Sequence, residues 1–181
     1  RIKQNFINYI VIHMKIPGKF PNIRLRRVRN SQWMRRLVSE NDLSINDLIL
    51  PIFVRDGKNK VEAIRSMPGV NRYSIDKLNL IMNKAKKYKI PMVALFPYTK
   101  KNKKDKFGTE ALNRNNLVCK SLKFTKKRYS GIGVMCDVAL DPYTNHGHDG
   151  VMINRKIDND KTIKILIKQA LIQAEMGCDV I

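Results

Sequence analysis

Residues 134–150 read VMCDVALDPYTNHGHDG, an apolar run that ends in a dense set of groups able to carry a proton or bind a metal. Asp137, Asp141, His146, His148 and Asp149 share this span, interrupted by Pro142 and Gly147. A strand that delivers carboxylates and imidazoles into a turn-rich loop is a common way for α/β enzymes to build a site, because the strand fixes where the loop begins. Three carboxylates so placed suit positioning a substrate amine, acid–base work, or holding a hard cation such as Mg²⁺. A plainer reading stays open beside it. Asp141-Pro142 and Asp149-Gly150 are ordinary turn pairs, and the two histidines could simply hydrogen-bond loop backbone. The spacing is neither H-E-x-x-H nor an EF-hand loop. Cys136 should point to the opposite strand face from Asp137, and reads as a buried thiol rather than a nucleophile.

The elements that must position this loop are legible as alternating patterns. LILPIFV at 48–54, MVALFPY at 92–98 and GIGVMCDVAL at 131–140 are short continuous apolar runs, as expected of strands buried on both faces of a parallel sheet. CDVI at 178–181 begins a fourth. Between them lie three helical patterns. Ser74 should cap a helix from Ile75 to about Tyr88, with Leu78, Ile81, Met82 and Ala85 on one face. A second runs from about Asn115 to Arg128, burying Leu117, Val118, Ser121, Leu122 and Thr125. A third runs from Lys161 to Met176, capped from Asp158 to Asp160 and ended by Gly177. Its apolar side is Ile163, Leu166, Ile167, Ala170, Leu171 and Ala174. The segment RDGKNKVEAIRS after the first strand reads as a charged loop, and MPGV at 67–70 as a turn. This β-α-β-α-β-α-β order implies parallel strands with right-handed crossovers, in a doubly wound sheet or part of a (β/α)₈ barrel. No G-x-G-x-x-G or Walker A motif supports a dinucleotide or P-loop site. A barrel needs about 250 residues, so 181 residues hold about half of one. Val180 and Ile181 fall inside a strand barely begun, which leads us to expect the N-terminal part of a longer chain.

Upstream, residues 1–21 are expected to be disordered or an upstream extension, and 22–47 an N-terminal arm with a short helix. Residues 48–181 then hold the first three βα units and the start of the fourth strand. Asn30 or Ser31 should cap the arm helix, with Trp33 and Leu37 sharing its buried face. Lys and Arg number 36 against 15 Asp and Glu, a net charge of +21. Such a charge could serve nucleic acid. However, the basic residues are spread through many segments (KNK at 58–60, KKNKK at 100–104) rather than gathered in one stripe, which weighs against nucleic acid. Three scattered cysteines point to reduced thiols and a cytoplasmic setting, without zinc-ribbon spacing. No run has the length of a membrane span.

The loop motif DVALDPYTNHGHDG resembles the metal-site signature of the porphobilinogen synthase (delta-aminolevulinic acid dehydratase) family. RLRRVRNS, LSINDLILPIFV, IRSMPGVNRYSID, IPMVALFPY and QALIQAEMGCDVI agree in order, so the resemblance runs from about residue 22 to the end. It implies the N-terminal half of a TIM barrel carrying an arm through which subunits assemble, usually into homo-octamers. It implies condensation of two 5-aminolevulinate molecules to porphobilinogen in heme biosynthesis. Zinc-dependent members carry three cysteines in this loop, at the positions of Ala139, Asp141 and Asp149. Thiolates favour Zn²⁺, so the chain resembles the aspartate-rich subclass without catalytic zinc, which uses Mg²⁺ or a monovalent cation. By the same resemblance Asp137 sits near the substrate amine, and Asp141 and Asp149 are substrate- or metal-binding. The family's two Schiff-base lysines belong to its second half, so these residues alone are expected to be inactive. The alternative is a basic half-barrel remnant that binds nucleic acid or protein.

Overall fold

The structure, a computed structural model, describes residues 18–181. Residues 1–17, most of the segment expected to be disordered or upstream, lie outside the described residues. The chain divides into two compact units, one ending at Leu43 and the other spanning Ser44–Ile181. In the first unit, α1 (Gln32–Leu37) begins at Ser31, whose hydroxyl accepts a hydrogen bond from Met34 N. Trp33 and Leu37, expected on a buried face, are both exposed. A helix of six residues presents too little area to bury a face within its own unit.

The second unit is an α/β sheet. Its strands are β1 (Ile49–Arg55), β2 (Val61–Ala63), β3 (Asn71–Tyr73), β4 (Met92–Tyr98) and β5 (Gly133–Cys136), in the order β2-β3-β1-β4-β5. β1 pairs in parallel with β3 and β4, and β4 with β5. β2 and β3 are a correction to the charged loop expected after β1: Glu62 lies opposite Arg72 in an antiparallel pair that joins the parallel edge of β1. A parallel bridge between Met135 and Val180 starts the next strand. α2 (Leu78–Lys87) and α3 (Leu117–Arg128) cover one sheet face. Their Leu78, Met82, Ala85, Val118 and Leu122 pack with Ile52, Val54, Val93, Leu95 and Val134, all nearly or fully buried. Each of these side chains other than Ala85 contributes roughly 1.5–3 kcal/mol of transfer free energy. On the other face Phe53 and Phe96 are only half-buried, with ring centroids 5.7 Å apart. The strands are therefore not equally buried on both sides.

Ser74 does not cap the helix that follows it. Its hydroxyl is fully buried and bonds both Lys60 N (2.9 Å) and Lys60 O (3.2 Å), tying β3 back to the loop before β2. A 3₁₀ turn, Ile75–Lys77, intervenes before α2. Asn116 caps α3 through Cys119 N at 2.8 Å.

α4 (Asn159–Glu175) is capped by Asp158, which accepts from Lys161 N at 3.0 Å. Its apolar pattern is only partly turned inward: Leu166 packs against the loop after β5 together with Ile165. Ile163, Ile167 and Leu171 are exposed, whereas Thr162, Gln169 and Gln173 are buried. The reason lies in what the helix covers, the loop after β5, whose buried backbone groups require polar partners.

Candidate active site

β5 ends at Cys136, four residues earlier than the apolar run in the sequence, so Asp137 is the first residue beyond the strand's C-terminal end. In parallel α/β sheets this end is where side chains from successive units converge. Alternation then does the sorting. Cys136 is buried on the helix-covered side and Asp137 is exposed, on opposite sides of the backbone. A hydrogen bond with Cys178, followed by burial, pushes the Cys136 thiol up, away from the nucleophilic thiolate.

The loop that follows has its own small core. Leu140, Tyr143 and Val151 are buried with Ala111, against Ile165 and Leu166 of α4. Burial also drives the Tyr143 phenol up, so it stays neutral. With its apolar residues turned inward, the loop leaves Asp141 and Asp149 exposed alongside Asp137. Asp141 feels the other two. Partial dehydration, then the charges of Asp149 and Asp137, push Asp141 above the usual carboxylate value even though much of the residue faces solvent. Asp149 also has a structural duty: its Oδ1 accepts from Leu140 N at 2.6 Å, closing the loop across its base.

The two histidines do local work. His146 Nε2 lies 3.3 Å from Lys106 O, and His146 Nδ1 accepts from His148 N at 3.2 Å. These contacts match the backbone role weighed for them. They also join the loop to the segment after β4. There Asp105 caps its own turn by accepting from Phe107 N at 2.8 Å, and Asp105 O accepts from Asn145 N at 3.0 Å. Lys104 Nζ donates to Asp141 O at 3.4 Å.

Sequence reasoning missed the ionic frame around these strand ends. Glu62 pairs with both Arg55, at the end of β1, and Arg72, and the Arg72 guanidinium lies 4.4 Å from the Tyr98 ring centroid. Lys103 bridges Asp56 and Glu110, each at 3.4 Å. Burial opposes the charge on Lys103, but the two carboxylates outweigh it and raise its pKa. No motif marks these residues, because their partners lie on other strands or distant loops. Gln169 and Gln173 were missed for a similar reason: they look like solvated positions on an amphipathic helix.

Three-ligand metal geometry does not arise. Among the described residues no group of three or more His, Cys, Asp or Glu side chains is arranged to hold an ion. The donor chemistry is nevertheless selective. Ala139 is buried and offers no ligand, Asp141 and Asp149 offer hard oxygen, and the thiols of Cys136 and Cys178 pack with the sheet core. Carboxylate oxygens are the donor type that hard cations prefer, whereas the loop offers no thiolate set for zinc.

Comparisons with known proteins agree with this architecture. The model of the family described as delta-aminolevulinic acid dehydratase matches residues 22–181. A delta-aminolevulinic acid dehydratase of Bradyrhizobium diazoefficiens is 53% identical over 159 residues, covering 88% of this chain and 45% of that protein. One from Methanothermus sociabilis is 44% identical, over 90% of this chain and 50% of its own length. Among solved structures, delta-aminolevulinic acid dehydratase (porphobilinogen synthase) from Toxoplasma gondii, in complex with the reaction product porphobilinogen, is 36% identical with a TM-score of 0.78. That match covers 91% of this chain and 46% of the other. The chain thus spans about half the length of the relatives it matches, and its parallel α/β arrangement corresponds to half of a TIM barrel.

Proposed function

The chain belongs to the delta-aminolevulinic acid dehydratase family, and from that premise we propose that it supplies the amine-positioning half of a porphobilinogen synthase site. The reaction condenses two 5-aminolevulinate molecules to porphobilinogen, a lyase step of heme biosynthesis. The observation that carries this reading is the placement of Asp137, exposed and immediately past the C-terminal end of β5, with Asp141 and Asp149 on the adjoining loop.

In this proposal Asp137 accepts a hydrogen bond from the substrate ammonium and, as an exposed carboxylate, holds it near the strand ends without burying a charge. Asp141 and Asp149 hold Mg²⁺ or a monovalent cation, or bind substrate directly. When bound, such a cation offsets the mutual repulsion of the carboxylates and polarises an oxygen of the substrate. Zinc is outside the proposal, for the reason given by the donor set. The carbonyl carbon of each substrate would be captured by lysines that the family resemblance assigns to the half these residues do not span. These 181 residues therefore supply one wall of the site.

The remaining features belong to the same proposal. The cysteines are free thiols, in keeping with a reducing, cytoplasmic setting. No helix among the described residues is long and apolar enough to cross a membrane. The arm ending near Leu43, with its exposed Leu25, Trp33 and Leu37, is the segment through which subunits would assemble, into an octamer by the family pattern. Nucleic acid has no part in this reading. Some basic side chains are held in ion pairs (Arg55, Arg72, Lys103, Lys126) or lie in the last turns of α2 and α3, where they complement the helix dipole, and the rest are spread through many segments rather than one stripe.

The test uses borohydride trapping with labelled 5-aminolevulinate, and porphobilinogen assay. A chain extended to full family length should form porphobilinogen and trap label, and Asp137→Ala should abolish the first. The 181-residue chain alone should trap nothing. Stable labelling of the short chain, or full turnover by Asp137→Ala, would overturn the assignment.

A further inference from the structure

The inward side of α4 mixes half-buried Ile165 and Leu166 with buried Thr162, Gln169 and Gln173, while several of its aliphatic side chains face outward. Gln169 and Gln173 are 1% and 3% exposed, while Ile163, Ile167 and Leu171 are 45%, 54% and 59% exposed. The present orientation keeps two neutral amides out of water while three aliphatic side chains face it.

What it secures is a set of bonds to the loop after β5. Gln173 Nε2 donates to Asp137 O at 3.0 Å, and Gln169 Nε2 donates to Ala139 O at 3.2 Å. Thr162, on the same face, accepts from Val151 N at 2.9 Å. The periodicities match. Four residues of helix advance about 6 Å, and two residues of extended chain about 6.6 Å. Two glutamines four apart can therefore meet two carbonyls two apart, with the helix running antiparallel to the extended segment. Ladder pairing of β5 with β4 stops at Leu95 and Cys136. Beyond that point the glutamine amides take the place of a neighbouring strand. Each glutamine keeps its Oε1 buried without a hydrogen-bond partner, so the side chains are held for their donors alone.

We propose that Gln169 and Gln173 are positioning residues: their amide donors hold the Asp137 and Ala139 carbonyls and thereby set the direction in which the Asp137 carboxylate leaves β5. The catalytic consequence rests on the porphobilinogen synthase reading. The bonds themselves do not. Fixing Asp137 O restricts the backbone torsion of the residue that meets the substrate. Fixing Ala139 O steadies the Leu140 N–H, which in turn holds Asp149. Asp137 and Asp149 are thus referred to one rigid helix.

The test compares Gln169→Met and Gln173→Met, which keep side-chain length and volume but lose the donor, in the labelled 181-residue chain. Carbonyl-carbon resonances report hydrogen bonding directly. Gln173→Met should move the Asp137 carbonyl resonance upfield and leave that of Ala139 in place, and Gln169→Met should do the reverse. Amide exchange at Leu140 should accelerate about tenfold, equivalent to ~1.4 kcal/mol, with β1 and β4 amides unchanged. In an enzyme of full family length the same variants should lower kcat about tenfold and leave KM for 5-aminolevulinate unaltered. Unmoved carbonyl resonances, exchange accelerated equally throughout the sheet, or an unaltered kcat would each overturn the proposal. Absence of porphobilinogen formation with both glutamines intact would instead reject the enzyme reading, and the carbonyl shifts would still decide whether the two bonds exist.

Discussion

Replacing Asp149 separates its structural duty from its proposed chemical one. Its Oδ1 accepts from Leu140 N at 2.6 Å, and Leu140 is fully buried at the centre of the loop's small core. Asp149→Ala leaves that N–H without its acceptor, and an unsatisfied buried donor costs about 2 kcal/mol. Asp149→Asn keeps an oxygen in place and loses only the charge, a change of about 0.5–1 kcal/mol for a bond that is no longer charge-assisted. With a urea dependence of about 2 kcal/mol/M, the Ala variant should unfold at a midpoint about 1 M lower, and the Asn variant within about 0.5 M of the original. Cation binding should divide the variants differently. Both lose one of two anionic ligands, so Mg²⁺ titrated calorimetrically into an enzyme of full family length should bind more weakly to each. The Asn variant should also let the Asp141 pKa fall, since the Asp149 charge helps to raise it. Equal unfolding midpoints for Ala and Asn would refute the loop-closing role. Unchanged Mg²⁺ affinity in both would refute the ligand role.

Three further outcomes follow from the same contacts. Thr162→Val removes the acceptor of buried Val151 N, while Asp158 O keeps its bond from Thr162 N; stability should fall by about 1–3 kcal/mol, read by urea unfolding, with Thr162→Ser close to the original. Gly150→Ala would bring a methyl 2.8 Å from Ile157 Cγ2 and 3.1 Å from the Thr162 hydroxyl, so amide exchange at Val151 should rise in that variant. Asp179 is held below its usual pKa first by the Lys126 ammonium and then by Val134 N. Its lowered folded pKa means a stabilising contribution present above about pH 4, the ordinary unfolded value, and lost as pH falls through the folded value. An acid titration followed by the Val134 amide resonance should show that loss, and Asp179→Asn should remove the pH dependence.

Much of the architecture could be read in advance because it depends on patterns within single segments. The runs at β1, β4 and β5 announce parallel strands, and the α2 and α3 faces bury the residues their periodicity picks out. The grouping of the loop carboxylates was equally visible, since Asp137, Asp141 and Asp149 are close in sequence as well as in space. Other features were hidden because they are agreements between distant segments. β2 and β3 pair with Glu62 opposite Arg72, an agreement between two short segments that no local propensity demands. Ser74 abandons a helix cap for a buried bond to Lys60.

The clearest division falls on α4. Its amino acids dictate a helix, its first residue through the Asp158 cap and its end at Gly177. They do not dictate which side faces inward. The hydrophobic pattern favours Ile163, Ile167 and Leu171 as well as Leu166, but the carbonyls of Asp137 and Ala139 and the N–H of Val151 require partners, and Thr162, Gln169 and Gln173 provide them. An unpaired buried polar group outweighs an exposed aliphatic side chain. That comparison exists only once the loop and the helix are brought together, so the sequence supplied the loop carboxylates and the tertiary structure decided which helix residues hold the backbone that carries them.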